Sequence, residues 1–295
     1  MTNYKDIYEY ERGQFENYLT STLCSLDNIP DTIISGIKYA VGSGGKRLRP
    51  MLAIFTAKLF GVQPEKVYPI ALAVELIHNY SLVHDDLPCM DDDELRRGLP
   101  TVHVKYGEGM AVLIGDALLN LAIEILAKNA QDYLAKLPEI ITAIFENSGA
   151  KGMIAGQCVD LESEGNPSLF SRERLEYLHL HKTACLIEAP IVASAIACGA
   201  TASQIQKLKV YAKNVGLAFQ ITDDVLDVEG DEETFGKPIG SDALLDKLTY
   251  PRMYGLDESK VLAKKCISDA CESLNGFSDT DCLIKLALTI ENRIK

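Results

Sequence analysis

The stretch LVHDDLPCMDDDELRRG, Leu82 to Gly98, carries six carboxylates: Asp85, Asp86, Asp91, Asp92, Asp93 and Glu94. Two arginines, Arg96 and Arg97, follow at once. Two carboxylates about 4 Å apart repel by roughly 1 kcal/mol in water and roughly 4 kcal/mol at an effective dielectric near 20. Something must offset that repulsion, and the choices are solvent, salt bridges or a metal. A second cluster, FQITDDVLDVEGDEE, holds Asp223, Asp224 and Asp227 on a strongly helical segment. Asp223 and Asp227 are four residues apart and share a face. Leu217, Ile221, Val225 and Val228 read as apolar positions of the same helix, which places these carboxylates near its buried side. One acidic run is usually a solvated face; two adjacent-Asp pairs, each at the end of an apolar helix, point to a shared task.

The donor types restrict the metal. Counted from Asp91, a twelve-residue calcium loop fails at its fifth and sixth positions, which are Leu95 and Arg96. Zinc prefers His and Cys, and none are spaced for it. Magnesium fits: it keeps waters, takes one or two carboxylates per ion and completes its shell with phosphate oxygens. Basic residues stand ready for such a phosphate. GSGGKRLRP places Lys46, Arg47 and Arg49 in a loop that runs into a helix start, where backbone amides and guanidinium groups both favour anions. The loop is not of the nucleotide-binding type, because Ala40 stands where that pattern needs Gly and Arg47 follows the lysine. His78 lies two helical turns before Asp85 on the same face, Lys182 sits in HKTA, and Lys237 and Lys247 lie further on.

Helices must position these groups. Apolar periodicity predicts them over Lys5–Thr20, Asp31–Val41, Pro50–Leu59, Pro64–Asp86, Gly107–Lys128, Pro138–Leu161, Ser171–Cys198 and Ala202–Val228, with shorter ones from Ala243 onward. Ser203 with Gln206 reads as a capping box, and Ser171 and Asp257 as N-caps. Gly61, Gly98, Gly165 and Gly199 punctuate the series, and no sustained alternation predicts strands. One all-α domain over residues 1–295, a single bundle of long helices around a deep central cavity, is the simplest account.

Composition narrows the function. The 295 residues carry 29 basic and 42 acidic side chains, a net charge of −13, which argues against general nucleic-acid binding. With 47% apolar residues the chain is no disordered polymer. No apolar run of about 18 residues is seen, since Asp116, Asn120 and Glu124 break AVLIGDALLNLAIEILA, so no stable membrane insertion is expected. The opening residues show no signal-peptide pattern, and the eight cysteines have no CxxC spacing. A cytoplasmic protein with buried, reduced thiols is expected.

GGKRLRP, HNYSLVHDDLPCMDDDELRRGLPTVH, GDALL, AGQCVDL, HKTACLI, FQITDDVLD, GKPIGSD and DKLTYP follow one another along nearly the whole chain. In this order they resemble the trans-isoprenyl diphosphate synthases, most of all bacterial short-chain farnesyl diphosphate synthases. DDLPCMD is similar to the first aspartate-rich motif in its longer form, and DDVLD to the second. The resemblance implies that Asp85, Asp86 and Asp91 bind Mg2+ from one wall and Asp223, Asp224 and Asp227 from the other, with about three ions per site. It implies that Lys46, Arg49, His78 and Arg97 hold the diphosphate of isopentenyl diphosphate. Arg96, Lys182, Thr183, Gln220, Lys237 and Lys247 would serve the allylic diphosphate. It also implies a homodimer and head-to-tail condensation through an allylic cation. Tyr80 and Ser81, five and four residues before Asp85, would face or flank the slot, with Tyr80 as a floor that stops growth near fifteen carbons. The alternative is that Tyr80 merely packs, with its hydroxyl bonded elsewhere. Small departures occur: Ala155 stands where the family often has Gly, and Leu248 where Ser is common. A geranylgeranyl diphosphate synthase, a terpene cyclase and a non-catalytic partner subunit are the rival readings. A cyclase needs to hold one diphosphate and usually lacks a second DDVLD-type motif, and a non-catalytic subunit should have lost part of the two motifs.

Overall fold

The computed structural model describes residues 3–229 and 246–294. Its order is α1 Tyr4–Cys24, α2 Asp31–Gly42, α3 Leu48–Leu59, α4 Tyr68–Asp85, the strands β1 Leu95–Arg96 and β2 Leu99–Pro100, and α5 Val102–Tyr106. Then come α6 Glu108–Lys128, α7 Leu137–Ser148, α8 Met153–Ser163, α9 Arg172–His179, α10 Cys185–Ala197 and α11 Ala202–Glu229. The short α12 Tyr250–Tyr254, α13 Leu256–Ser273 and α14 Asp281–Glu291 close the chain.

The sequence dictates the layering. Every residue of α4 from Tyr68 to Ile77 is buried, so this helix has no solvent face at that end and must be central. It packs along α6 and against α3 and α10. The nearly all-apolar α10 lies against α3, α7 and α11, and α11 runs along α13. Two segments, Glu108–Lys128 and Arg172–Ala197, do reach the length and apolarity of a membrane span, contrary to the expectation from residue runs. In this fold both are seated in the bundle.

Several boundaries depart from the predicted ones for local reasons. Pro138–Leu161 is two helices, α7 and α8. A methyl at Gly149 would collide with the carbonyl of Phe145, and one at Gly152 with the carbonyl of Asn147, so these glycines allow a tight reversal. Ser171–Cys198 is interrupted by a π turn at Leu180–Ala184, a device common at functional sites. The capping box lies two residues earlier than predicted, with Thr201 Oγ1 accepting from Gln204 N and Gln204 Oε1 accepting from Thr201 N. Asp257 falls in the first turn of α13, whose cap is Gly255. Ser171 caps α9 as expected, and Gly61, Gly98, Gly165 and Gly199 all take positive φ. Val228 is exposed rather than apolar-packed, and Cys24, Cys89 and Cys158 are exposed rather than buried.

Candidate active site

The first acidic motif sits where α4 ends. Asp85 is half-buried, and burial pushes its pKa up to about 6, with Asp91 and Asp86 adding while Lys182 and Arg96 oppose. Asp86 is turned inward, 2% exposed, and accepts from Arg96 Nε at 2.8 and 2.9 Å. Asp91 N donates to the carbonyl of Asp85 at 2.8 Å, which folds the longer loop back onto the helix end. Lys247 Nζ lies 3.8 Å from Asp91, so the far part of the chain reaches the first motif.

The second motif repeats this division. Asp224 is 2% exposed and accepts from Gln220 Nε2 at 2.8 Å and Tyr250 N at 2.9 Å. Thr183 Oγ1 donates to Gln220 Oε1 at 2.8 Å, which ties the π turn to α11. Asp227 is buried too, whereas Asp223 is half-exposed and pairs with Arg293 Nη1 at 2.6 Å. Lys182 pairs with Asp160. Burial works against the lysine's charge, but Asp160, Asp85 and Asp91 outweigh it and raise its pKa. Lys182 thus stands between Asp160 and the first acidic motif. Lys237 lies outside the described residues.

A second region gathers cations. Arg97 and Gly98 form the two central residues of a β1–β2 hairpin turn, both at positive φ, as a type I′ turn requires. The turn sends Arg96 inward to Asp86 and Arg97 across to the loop after α2, where it bonds the carbonyl of Gly44. Gly45 leaves room for it: a Cβ there would lie 2.9 Å from Arg97 Nη1. Lys46, Arg49, Arg97 and His78 all have lowered pKa values. Burial is the leading cause in each case. Arg49 falls to about 10, opposed by Glu75 and pushed further by Arg97, and its Nε is sealed without a partner among the described residues. His78 falls well below 6.5 because Arg49, Arg97, Arg96 and Arg47 add to burial. Arg49, Arg97 and His78 thus share a region crowded with cations, whereas Lys46 feels Arg293 and Asp223 of the second acidic motif.

Tyr80 is 7% exposed and its ring meets His84 edge-on, 5.8 Å between centroids. His84 Nε2 is 3.1 Å from the carbonyl of Val112, and a methyl at Gly115 would overlap its imidazole. Tyr80 therefore lines the α4–α6 seam. Ser81, half-buried, bonds back to the carbonyl of His78.

Several residues of the site carried no assignment from sequence. Asp160 and Gln157 stand in AGQCVDL, a stretch noted without a role. His179, buried against Tyr250 with Nε2 3.5 Å from Asp224, stands two residues before HKTA and could have been found there. Arg293 had no signal; only the fold brings it to Asp223 and Phe219.

Among the described residues no three His, Cys, Asp or Glu side chains converge into a ready-made metal site. All-oxygen donors from two motifs suit a hard cation that brings its own waters and phosphate oxygens. This fits magnesium.

Comparison with known proteins identifies the family. The polyprenyl synthetase family model matches residues 30–282. Geranylgeranyl pyrophosphate synthase 7, chloroplastic, of Arabidopsis thaliana is 43% identical over 99% of this chain and 84% of its own. Geranylgeranyl pyrophosphate synthase 11 of the same plant is 48% identical over 85% and 71%. An FPP/GFPP synthase of Zymomonas mobilis superposes with a TM-score of 0.87 at 34% identity, covering 98% of this chain and 99% of that one. A geranyltransferase of Helicobacter pylori, solved complexed with magnesium and isoprenyl diphosphate, gives 0.84 at 32% identity over 99% and 97%. An all-α fold with two aspartate motifs of this kind is that of a magnesium-dependent prenyltransferase. The chain belongs to the polyprenyl synthetase family, the trans-isoprenyl diphosphate synthases.

Proposed function

We propose that this chain adds isopentenyl diphosphate to dimethylallyl and geranyl diphosphate and releases mainly farnesyl diphosphate. Asp85, Asp86 and Asp91 face Asp223, Asp224 and Asp227 across the allylic site and hold magnesium between them. When bound, magnesium neutralises the departing diphosphate. Lys182, with Arg96, Lys247 and Lys237, draws the same group into place. Arg96 Nε and Nη2 are committed to Asp86, which leaves Nη1 for the ligand. Thr183 and Gln220 brace one another beside it. Lys46, Arg49, His78 and Arg97 seat isopentenyl diphosphate so that its double bond meets the allylic cation. The apolar helices exclude water from that cation. The released diphosphate is the nearest base for the proton that is lost.

Chain length rests on one observation: Tyr80 is buried in the α4–α6 seam with its ring against His84, just before Asp85. The names of the Arabidopsis relatives favour a second reading, geranylgeranyl diphosphate as product. Incubating the protein with magnesium, isopentenyl and geranyl diphosphates and sizing the hydrolysed alcohols separates the two. Fifteen carbons, shifting to twenty in Tyr80→Ala, support the first; twenty carbons in the unaltered protein support the second. Absence of condensation with either starter would favour a non-catalytic partner subunit. Both acidic motifs are intact, which weighs against that subunit, and the basic loop of Lys46 and Arg49 weighs against a cyclase. A homodimer through the exposed Val112, Leu113 and Ile123 of α6 completes the reading, and light scattering checks it.

A further inference from the structure

Tyr8 of α1 reaches the loop between α2 and α3, and its hydroxyl donates to the carbonyl of Lys46. The ring has its own seat. Tyr4, Tyr8 and Phe55 meet pairwise with centroids 5.9, 6.0 and 6.2 Å apart, and Phe55 is a buried residue of α3. Burial raises the hydroxyl's pKa above its ordinary value, so Tyr8 stays a donor. The residue it holds, Lys46, belongs to the basic loop, yet Tyr8 itself has no part in the site as assembled above.

Other carbonyls of this segment are tied back in the same way. The carbonyl of Ala40 accepts from Ser43 Oγ at 2.9 Å, that of Val41 from Arg47 Nη2 at 2.8 Å, and that of Gly44 from Arg97. A carbonyl oxygen carries partial negative charge and would repel a diphosphate. In a trans peptide the C=O and N–H point in opposite directions, so fastening the Lys46 carbonyl to α1 turns the amide hydrogen of Arg47 away from α1. Arg47 is left-handed, with φ 51° and ψ 39°, and α3 begins at Leu48. A left-handed residue beside right-handed ones gathers successive amides into a concavity that suits an anion. The amides of Leu48 and Arg49 lie in the first turn of α3, where the helix itself offers them no acceptor.

We propose that Tyr8 is a positioning residue for isopentenyl diphosphate. By holding the Lys46 carbonyl against α1, it presents the Arg47 amide to the diphosphate between the side chains of Lys46 and Arg49. This rests on the seat proposed above for isopentenyl diphosphate at Lys46 and Arg49. Tyr8 touches neither substrate nor metal. Without its hydroxyl the Lys46–Arg47 peptide can rotate and turn a carbonyl towards the phosphate oxygens. The loss falls on one ligand, because the allylic diphosphate is held by the acidic motifs and Lys182.

Tyr8→Phe removes the hydroxyl and keeps the three rings together; Arg49→Gln tests the seat itself. Each is compared with the unaltered protein by steady-state rates with magnesium and by thermal unfolding. Calorimetry then measures isopentenyl diphosphate and, separately, magnesium with geranyl S-thiolodiphosphate, whose sulfur bridge ionises slowly. Tyr8→Phe is expected to raise the KM and the Kd for isopentenyl diphosphate about 3- to 15-fold, the loss of one hydrogen bond's worth of order. Its kcat stays within about twofold, the thiolo analogue binds as before, and the unfolding temperature falls by no more than a few degrees. Unchanged affinity for isopentenyl diphosphate in Tyr8→Phe, with a loss in Arg49→Gln, would overturn the positioning role and leave the seat standing. Unchanged affinity in Arg49→Gln would overturn the seat and the role of Tyr8 with it. A Tyr8→Phe loss shared equally by kcat or by the thiolo analogue would also overturn the proposal, since the hydroxyl would then be holding the fold at large.

Discussion

The acidic walls and the cationic pocket are opposite solutions to one problem, how to keep like charges together until a ligand arrives. In the acidic region the inner member of each pair is fastened, Asp86 by Arg96 and Asp224 by Gln220 and Tyr250 N. Asp85 is left to carry the unfavourable charge, with its pKa raised to about 6 chiefly by burial. In the basic region the same division falls between near neighbours. Arg47, 4% exposed, is held by Glu16 and Glu75 at 2.7 Å each, and these partners outweigh burial and raise its pKa. Arg49, two residues on, lacks such a partner and is lowered to about 10. Arg96 and Arg97 divide in the same way. Within each arginine couple one residue has carboxylate partners that favour its charge, and the other's charge is disfavoured chiefly by burial.

The comparison breaks first at Asp85. Replacing it by Asn should lower kcat by about 10³-fold while isopentenyl diphosphate still binds to the separate pocket; an effect confined to KM would merge the two regions. Arg47→Gln is expected to destabilise the protein by about 3–5 kcal/mol in urea unfolding, because Glu75 is left buried without its partner. Arg49→Gln should leave unfolding unchanged or slightly improved, and raise the KM for isopentenyl diphosphate by about 10- to 100-fold with kcat nearly intact. If the two arginines behaved alike in both assays, the division into builder and binder would fail.

Two smaller effects sharpen the picture. Gly115→Ala is expected to cost about 1–3 kcal/mol, since the methyl must displace the His84 imidazole that meets Tyr80. His78 is held neutral in the native fold, its pKa well below 6.5, and the unfolded chain takes up that proton near 6.5. Its contribution to stability is therefore complete above about pH 6.5 and declines as the pH falls below it. A stability–pH profile of His78→Asn should be flatter in that window than the unaltered protein's.

Sequence alone reached the acidic motifs and the helices that end in them, because adjacent aspartates at the close of an apolar helix are readable from residue order. It reached Lys46, Arg49, Arg97 and His78 as a group through the family resemblance. It could not separate Arg47 from Arg49, since the distinction depends on Glu16 and Glu75 arriving from other helices. Arg293, 70 residues from Asp223 in the chain, was invisible for the same reason. The break between α7 and α8 depends on two glycines that also suit a helix interior badly but not impossibly; only the close approach of carbonyls shows why they end it. The cap at Thr201 rather than Ser203 was a choice between two matching patterns two residues apart.

The most direct test of the two-region account is calorimetric titration of isopentenyl diphosphate and of geranyl S-thiolodiphosphate, each with and without magnesium. The acidic walls repel a diphosphate until a cation intervenes, whereas the pocket of Lys46, Arg49, His78 and Arg97 attracts one unaided. The account predicts that isopentenyl diphosphate binds the metal-free protein and loses that binding in Arg97→Gln, while the allylic analogue binds only with magnesium. Equal magnesium dependence for both ligands, or an allylic analogue that binds the metal-free protein as tightly, would contradict it.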